Sequence, residues 1–311
     1  MIRSLITGID GFIGSALAEK LKSQGNEVFG ISRKECNFCD GIQRFCADMT
    51  DSGAILDAVR DSRPDRVFHL AAQNNITESF GSPQSTMNVN LVGSIHLFDA
   101  ILNHASQAKI VSVGSSSEYG NTAALHKFIS EDVPLLPTSP YGVSKAALSM
   151  LSRVYASALN LHVLHVRPFA IIGPRKKRDA LSEFSQGVVE IEQGVRNFLS
   201  VGNIAAIRDF IDIRDCVDAL VLLSEKGKAG EIYNLCNARG SSMEEMLEIL
   251  KKCARKPVTT VTDHTRMRLI EDHRIVGDNT KLKALGYAPV YELRDTIQTI
   301  LDYWRPNNTV S

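Results

Sequence analysis

A regular alternation of two kinds of segment restricts the possible folds of this chain more than any other property. Short apolar runs rich in β-branched residues alternate with stretches whose apolar residues recur at helical spacing, as Ile13, Leu17 and Leu21 do. Strands that alternate with helices predict βαβ units and therefore a parallel sheet. Six strands are predicted in this way, at residues 4–7, 27–31, 43–47, 66–70, 109–113 and 162–167.

The alternation becomes less regular after Pro168, where Gly173 and Pro174 mark a turn and a charged stretch follows. We therefore expect an α/β protein with a doubly wound parallel sheet in residues 1–167 and a smaller α/β lobe in residues 168–206 and 236–311. Residues 214–224 and 231–235 look like a helix and a strand that return to the first sheet, so about residues 207–235 are assigned to the first lobe.

Composition argues against several classes of protein. The chain has 311 residues, of which 44% are hydrophobic, and its 35 Lys and Arg residues balance 35 Asp and Glu residues. A net charge of zero provides no overall field for nucleic acid or an anionic membrane, so neither is an expected partner. No apolar run approaches the roughly 18 to 20 residues that span a bilayer, and we expect a cytoplasmic protein.

Six cysteines are too few for a disulfide framework in a chain of this length. Cys36 and Cys39 have the spacing of a metal-ligand pair, and Cys46 follows them, but there is no second such pair and no closely spaced pair of histidines. Reduced thiols and no metal site are expected.

Three glycines follow the first predicted strand at GxxGxxG spacing and lead into the first predicted helix: Gly8, Gly11 and Gly14. Small residues let the backbone approach a pyrophosphate, and the N–H groups at the start of the helix attract its negative charge. The context of strand, loop and helix therefore predicts a dinucleotide site, although glycines with this spacing also serve ordinary turns.

The end of the second strand bears on the choice of dinucleotide. NAD-selective sites often have an acidic residue there, whereas this chain has Ser32 and Arg33. A guanidinium can donate two hydrogen bonds to a 2′-phosphate, so NADP(H) is favoured over NAD(H). A solvated Arg33 is the alternative. Asp48 follows the third strand, where it can meet the adenine amino group or cap a helix.

Tyr141 and Lys145 open a strongly helical stretch and are spaced to share one face of it. A phenol is a weak acid, and a nearby ammonium together with a cationic nicotinamide favours the phenolate. We therefore expect the pKa of Tyr141 to be lowered toward neutrality, which suits acid–base catalysis. The alternative is an ordinary surface pair. The serine-rich residues 113–120 end a predicted central strand and add hydroxyl groups at the same edge of the sheet.

Together these motifs resemble the extended short-chain dehydrogenase/reductase family, in its nucleotide-sugar branch of epimerases, dehydratases and reductases. The similarity covers essentially the whole chain. Within the branch it is greatest to the GDP-4-keto-6-deoxy-D-mannose reductases, with the GDP-mannose 4,6-dehydratases next. It rests on residues 7–14, Asp48, residues 69–72, residues 113–120, the Tyr141 and Lys145 pair, residues 167–168 and 173–174, and the second-lobe segments 201–203, 208–215 and 266–271.

The resemblance implies a Rossmann domain that binds NADP, a lobe that binds a nucleotide sugar, and a homodimer. The implied cofactor-binding residues are Gly8, Gly11, Phe12, Ile13, Gly14, Ser32, Arg33, Asp48, Met49, Leu70, Ala71, Ala72, Tyr141, Lys145 and Pro168. The implied catalytic residues are Ser115, Tyr141 and Lys145, with Ser116 as the alternative to Ser115. The implied substrate-binding residues are Ser117, Glu118, Arg175, Asn203, Arg208, Arg268 and Glu271.

The resemblance also implies a reaction, the NADPH-dependent reduction of a C4 keto group on a GDP-linked 4-keto-6-deoxy sugar or a related keto sugar. The related dehydratases have a carboxylate where this chain has Ser117, although Glu118 is only one position away. Ala170 replaces an asparagine that usually follows Arg-Pro-Phe in these reductases, which leaves the sugar open. A 4-epimerase or 4,6-dehydratase that retains its cofactor is the alternative enzyme, and a dinucleotide sensor without turnover is the alternative outside catalysis.

Overall fold

The computed structural model describes residues 1–33, 41–263 and 274–305. Its strands are β1 (Arg3–Thr7), β2 (Glu27–Ser32), β3 (Gln43–Cys46), β4 (Arg66–His69), β5 (Lys109–Val113), β6 (Val163–Pro168), β7 (Ala170–Ile172), β8 (Leu199–Val201), β9 (Ile207–Asp212), β10 (Ile232–Leu235), β11 (Gly240–Ser242), β12 (Thr260–Thr262) and β13 (Arg274–Ile275).

The α-helices are α1 (Phe12–Ser23), α2 (Ser52–Ser62), α3 (Ile76–Gly81), α4 (Pro83–Met87), α5 (Gly93–His104), α6 (Pro140–Leu159), α7 (Ala180–Gln193), α8 (Ile213–Lys226), α9 (Met243–Cys253), α10 (Thr280–Lys283) and α11 (Leu293–Trp304). A π-helical turn at Asn88–Val92 leads into α5, and two 3-10 turns at Ser116–Glu118 and Asn121–Leu125 follow β5.

Seven strands form one parallel sheet in the order β10-β6-β5-β4-β1-β2-β3. The chain runs outward from β1 to β3 and then crosses to β4 on the other side of β1, so the order reverses between β1 and β4. Ligands of doubly wound sheets bind beyond the carboxyl ends of the strands at such a reversal. The predicted fold class is confirmed, and each predicted strand of this sheet lies within one residue of its observed bounds.

The sheet separates two hydrophobic clusters because successive side chains of a strand point to opposite faces. In β1, Leu5 joins the cluster beneath α2, α5 and α6, whereas Ile6 joins the cluster beneath α1 and α8. Each such fully buried aliphatic side chain contributes about 1.5–3 kcal/mol relative to an exposed one. The first lobe therefore has three layers, with the sheet fixed between helices and its carboxyl edge held in place.

A third cluster forms the core of the second lobe, where α7, α9 and α11 pack together. Its larger sheet has the order β11-β9-β13, and β7 also pairs with β9. Strand β9 thus belongs to the second lobe, which corrects the assignment of residues 207–212 to the first. The return to the large sheet begins with α8 at Ile213 and is completed by β10, which pairs with β6 in parallel.

Among the described residues, no helix combines the length and the apolar character needed to cross a bilayer.

Candidate active site

The glycine loop leaves β1 at the edge where the strand order reverses. The Gly8 N–H donates to the Ile31 carbonyl oxygen at 2.9 Å, and the φ of Gly8 is +71°, a left-handed conformation that favours glycine. A Cβ on Gly14 would stand 2.2 Å from the Gly8 carbonyl oxygen. Helix α1 begins directly after Gly11, which has no side chain that could cap the helix. Backbone N–H groups at this helix start suit the pyrophosphate of a dinucleotide.

Thr7 joins this loop to the segment that follows β4. Its hydroxyl oxygen accepts from the N–H of Leu70 at 3.2 Å and from the N–H of Ala71 at 3.1 Å. A Cβ on Gly8 would come within 3.0 Å of the Ala71 Cα. Residues 70–72 and the glycine loop therefore lie side by side, as the resemblance implies.

His69 lies beneath this junction and is buried. Its Nδ1 is 2.8 Å from the Thr7 hydroxyl, and its Nε2 is 2.8 Å from the hydroxyl of Ser94, which itself donates to the Asn90 carbonyl oxygen. Burial, with the nearby charges of Lys145 and His165, lowers the pKa of His69 to about 3. The ring is therefore neutral at physiological pH and acts as a core residue.

The predicted adenosine end lies at the tips of β2 and β3. Arg33 is exposed, and Asp48 accepts from the N–H of Thr50 at 2.9 Å and from its hydroxyl at 2.7 Å. These two hydrogen bonds hold the pKa of Asp48 below its usual value, and the charge of Arg33 adds to them. The residues line a cavity of about 390 Å³ together with Gln84, Ser85, Asn88 and Val89.

Asp48 does not cap a helix. The side chain at the start of α2 is that of Asp51, which accepts from the Ala54 N–H at 3.0 Å, so the capping alternative for Asp48 is wrong. Ser32 and Met49, the predicted cofactor-binding residues next to Arg33 and Asp48 in the sequence, are buried, and each is 5% exposed.

The catalytic candidates lie between β5 and α6. Tyr141 and Lys145 are one helical turn apart near the start of α6, with exposures of 8% and 3%. The Ser115 hydroxyl lies near enough to the Tyr141 phenol to oppose the rise of its pKa, and the Lys145 ammonium donates to the Val113 carbonyl oxygen at 2.8 Å. The fold thus brings three of the predicted catalytic residues together, and it gives the contact with Tyr141 to Ser115 rather than to Ser116.

Close packing fixes the start of α6 against the serine-rich turn. The Ser139 hydroxyl caps the helix by accepting from the Gly142 N–H at 3.0 Å. A Cβ on Gly142 would stand 2.7 Å from the Ser117 carbonyl oxygen. Only glycine permits this approach without a shift of the backbone.

The pKa of Tyr141 moves in the direction opposite to the prediction. Burial raises it to about 12, although the Ser115 hydrogen bond opposes this shift. Burial also lowers the pKa of Lys145 to about 8. The predicted lowering, which also depended on a cationic nicotinamide, is not found for the chain alone, because loss of solvent outweighs the Ser115 hydrogen bond. Tyr141 consequently remains a protonated phenol at neutral pH.

Glu118 is not a substrate contact. Its side chain is completely buried, and its carboxylate accepts from the Ser115 N–H at 2.9 Å, from the Arg167 Nε–H at 2.8 Å and lies 3.0 Å from the His165 Nε2. The structure contradicts the substrate role because both oxygens are occupied inside the protein. Ser117, in contrast, is partly exposed in the same turn, and its role stays a prediction.

The Arg175 side chain is paired with a carboxylate of α1. Its guanidinium forms a two-pronged pair with Glu19, at 2.8 and 3.2 Å, beside the second half of α1. The glycine loop lies at the opposite end of that helix. This pairing argues against the predicted substrate contact of Arg175, because its planar fork faces a carboxylate of α1.

Two further substrate-binding candidates, Asn203 and Arg208, lie in the described part of the second lobe. The Asn203 amide oxygen accepts from the Ala205 N–H at 3.0 Å, and the Arg208 guanidinium donates to the Ile207 carbonyl oxygen at 2.9 Å. Both side chains are partly exposed. Arg268, Glu271, Cys36 and Cys39 lie outside the described residues, whereas Cys46 is an exposed free thiol.

A family model described as GDP-mannose 4,6 dehydratase matches residues 5–300. The match spans the glycine loop, the serine-rich turn, the catalytic pair and most of the second lobe. The chain belongs to this GDP-mannose 4,6 dehydratase family. The expected membership of the nucleotide-sugar branch is thereby confirmed, and so is the expected class of NAD(P)-dependent oxidoreductase.

Individual relatives in the family and its fold cover nearly the full length. The chain is 32% identical over 305 residues to the GDP-6-deoxy-D-mannose reductase of Pseudomonas aeruginosa, and the match covers 97% of each protein. The structure of RMD from Pseudomonas aeruginosa complexed with NADPH gives a TM-score of 0.86 at 28% identity, covering 97% of this chain and 98% of that one.

A second solved structure carries a different dinucleotide. UDP-glucose 4-epimerase from Thermus thermophilus, in complex with NAD, gives a TM-score of 0.87 at 26% identity, covering 98% of this chain and all of that one, 100%. These relatives share a nicotinamide dinucleotide and differ in its 2′ substituent.

One buried polar residue near Lys145, Asn90, belongs to no motif that the sequence revealed. Asn90 is 1% exposed in the π-helical turn, where its amide donates to the Ser144 hydroxyl of α6 and to the Gln73 carbonyl oxygen. The Gln73 N–H donates back to the Asn90 amide oxygen at 2.8 Å. The available signal was an amide between the apolar residues Val89 and Leu91 of a helical stretch, a position that demands hydrogen-bond partners.

Proposed function

We propose that the protein uses NADPH to reduce the C4 keto group of a nucleotide-linked sugar, with a GDP-linked 4-keto-6-deoxy sugar as the substrate. One observation carries the proposal. A buried phenol on Tyr141 lies one helical turn from Lys145 and near the Ser115 hydroxyl, while the only carboxylate of the serine-rich turn, Glu118, is held inside the protein. Such a site contains a proton donor for a reduction, and its turn offers no carboxylate to remove the C5 proton in a dehydration.

The described residues fit the dinucleotide. Gly8, Gly11 and Gly14 would hold its pyrophosphate, because the close packing of Gly14 on the Gly8 carbonyl oxygen fixes the loop and the α1 start directs N–H groups there. Ser32 and the exposed Arg33 would hold a 2′-phosphate, so NADP(H) is proposed over NAD(H). When bound, NADPH supplies the hydride for the C4 carbon.

Side chains of the protein supply the proton that the reduction requires and stabilise the C4 oxygen of the sugar. Tyr141 donates its phenolic proton to the C4 oxygen as negative charge develops there, and the Ser115 hydroxyl donates a hydrogen bond to the same oxygen. The Lys145 ammonium would hold the nicotinamide ribose and would stabilise the phenolate that remains on Tyr141.

The second lobe is proposed to bind the nucleotide. It comprises residues 168–212 and 236–311, in which Asn203, Arg208, Arg268 and Glu271 are the candidates for contacts with the diphosphate and the nucleotide ribose. A planar guanidinium matches the geometry of phosphate oxygens. The 32% identity to a protein named GDP-6-deoxy-D-mannose reductase supports GDP as the nucleotide.

A direct assay tests the reaction. GDP-4-keto-6-deoxy-D-mannose is added with NADPH, and the loss of reduced-nicotinamide absorbance is compared with the amount of reduced sugar formed. We expect one NADPH oxidised for each sugar reduced. Conversion of the sugar without loss of that absorbance would assign a cofactor-retaining epimerase, and conversion of GDP-mannose itself would assign a dehydratase.

The partner is proposed to be a second copy of the chain. Helix α6 buries one face against the sheet and exposes Val143, Met150 and Val154, with 41%, 60% and 54% of each residue accessible. The three positions follow one stripe of the helix. Sedimentation should show a dimer that Met150→Glu dissociates, and a monomeric wild type would contradict this assignment.

A further inference from the structure

Glu118 combines complete burial with three separate donors. The Ser115 N–H, the Arg167 Nε–H and the His165 ring all approach its two carboxylate oxygens within 3.0 Å. A Cβ on Gly114 would stand 2.0 Å from one of these oxygens and 2.2 Å from the His165 Nε2, so the carboxylate and the ring pack directly against the backbone that follows β5. No atom of the glutamate is accessible to a substrate.

The contact with Ser115 is part of a reciprocal pair of hydrogen bonds. The Ser115 hydroxyl accepts from the Ser117 N–H at 3.1 Å, while the Glu118 side chain accepts from the Ser115 N–H. This capping box fixes both the backbone and the hydroxyl of the residue that contacts Tyr141. The position of the Ser115 hydroxyl therefore depends on the Glu118 carboxylate.

The Arg167 guanidinium connects Glu118 to α6, the helix that carries Tyr141 and Lys145. Arg167 donates to Glu118 through Nε and to the Ser149 hydroxyl of α6 through a terminal nitrogen at 3.1 Å. Ser149 lies one turn beyond Lys145 on the same face of α6. Arg167 also donates to the Tyr119 hydroxyl at 3.0 Å. The serine-rich turn and α6 are thus tied to the same buried guanidinium.

We propose that Glu118 is a positioning residue, whose carboxylate holds the Ser115 turn so that the Ser115 hydroxyl meets both Tyr141 and the substrate oxygen. The assignment rests on the proposed function for its effect on turnover, and it goes beyond that function by giving a role to a residue that never touches the substrate. Misplacement of a reacting group by about 1 Å can lower a rate by as much as about a hundredfold.

An amide cannot replace this carboxylate. A glutamine has one acceptor oxygen and one donor NH₂ group, whereas three donors converge on Glu118. The permanently charged Arg167 competes best for the single oxygen, which turns the NH₂ group toward the Ser115 N–H. Glu118→Gln is therefore expected to release the Ser115 turn while keeping the shape of the side chain.

The kinetic test compares Glu118→Gln in two backgrounds. We expect the single variant to lower kcat about tenfold, with KM values for sugar and NADPH within about threefold of wild type. In the Ser115→Ala background the same substitution should lower kcat by less than about threefold, because the hydroxyl that Glu118 positions is already gone. Equal losses in both backgrounds, or an unchanged kcat in the single variant, would overturn the proposal.

Glu192→Gln is the matched control. Glu192 is a partly buried carboxylate that accepts from a guanidinium, Arg305, at 2.7 and 2.9 Å and from a backbone N–H, that of Arg255, at 2.7 Å, but it lies in α7 of the second lobe. Both substitutions should lower the Tm, and Glu192→Gln should leave kcat unchanged. If Glu118→Gln does not fold, Glu118→Asp takes its place, because it keeps a charge for Arg167 and shortens the reach to Ser115.

Crystal structures of the NADPH complexes of wild type and variant separate this proposal from the proposed function. The Ser115 hydroxyl should move away from the Tyr141 phenol in the variant, and an unmoved hydroxyl would overturn the positioning role. The measurement requires no sugar. A wild-type enzyme that fails to oxidise NADPH with any keto sugar would overturn the proposed function and leave the structural comparison decisive for Glu118.

Discussion

The two ends of the proposed dinucleotide site are built in opposite ways. At the catalytic end, Tyr141, Lys145 and Glu118 are buried and fixed by hydrogen bonds to strand ends and to one another. At the adenosine end, Arg33 is an exposed side chain, and the Asp48 carboxylate accepts hydrogen bonds only from its local neighbour Thr50 among the contacts described. Under the proposed function, the chemistry depends on the core of the protein, whereas the choice of dinucleotide depends on its surface.

The difference has an energetic consequence. Polar groups in a low-dielectric interior interact strongly and are costly when unpaired, whereas exposed charges are screened by water and contribute little. Substitutions at the catalytic end should therefore affect rate and folding together. Substitutions at the adenosine end should change cofactor affinity and leave the rest of the protein intact.

The largest expected effect is that of Tyr141→Phe. Removal of the phenol removes the proposed proton donor, so kcat should fall by at least about a hundredfold. The affinity for NADPH, measured by fluorescence or calorimetry, should stay within a small factor of the wild-type value. A variant that retains comparable turnover would remove Tyr141 from the mechanism.

Burial of His69 should make the free energy of unfolding depend on pH. Its pKa is about 3 in the native protein against 6.5 for the free side chain, so the unfolded chain binds the extra proton between these values and stability falls as the pH drops. Between pH 7 and pH 5 this residue should cost about 2 kcal/mol of unfolding free energy.

The comparison for this prediction is His69→Gln, which removes the titration and keeps hydrogen-bonding atoms. Denaturant unfolding at both pH values gives the change for each protein, and the difference between the two changes isolates His69 from other groups such as His165. Identical pH dependence in wild type and variant would show that His69 is not buried in its neutral form.

Arg33→Ala should have an intermediate effect, confined to the adenosine end. Loss of two charge-assisted hydrogen bonds to a 2′-phosphate should weaken NADPH binding about tenfold. The affinity for NADH should change by less than about twofold, because NADH has no phosphate there. Equal weakening of both dinucleotides would refute the assigned specificity and return Arg33 to the role of a solvated side chain.

The smallest effect is expected for Arg175→Ala. The pair between Arg175 and Glu19 lies at the surface, where such pairs contribute about 0–1 kcal/mol. KM for the sugar and for NADPH should therefore stay within about twofold of wild type. A large increase in KM for the nucleotide sugar would restore Arg175 to the substrate site.

The sequence predicted the first lobe closely because its signals are local. Strand and helix periodicity, the glycine loop and the spacing of Tyr141 and Lys145 each lie within a few residues. The bounds of β5, for example, are those predicted at 109–113. Local signals also placed the return of β10 to the sheet, because residues 231–235 read as a strand on their own.

The errors arose where contacts between distant residues decide the outcome. Glu118 meets its partners His165 and Arg167 from 47 and 49 residues away, and no spacing rule predicts that meeting. Arg175 and Glu19 are 156 residues apart. The pKa of Tyr141 was mispredicted for a related reason, since burial depends on the whole fold whereas the neighbouring Lys145 can be read from the sequence.

Transfer of an isotope from NADPH to the sugar tests the central claim most directly. NADPH that carries deuterium at its transferable position is incubated with the enzyme and GDP-4-keto-6-deoxy-D-mannose, and the product is examined by NMR and mass spectrometry. The account predicts one deuterium at C4 of each product molecule and an equal amount of oxidised cofactor released into solution. A converted sugar without deuterium at C4 would contradict it.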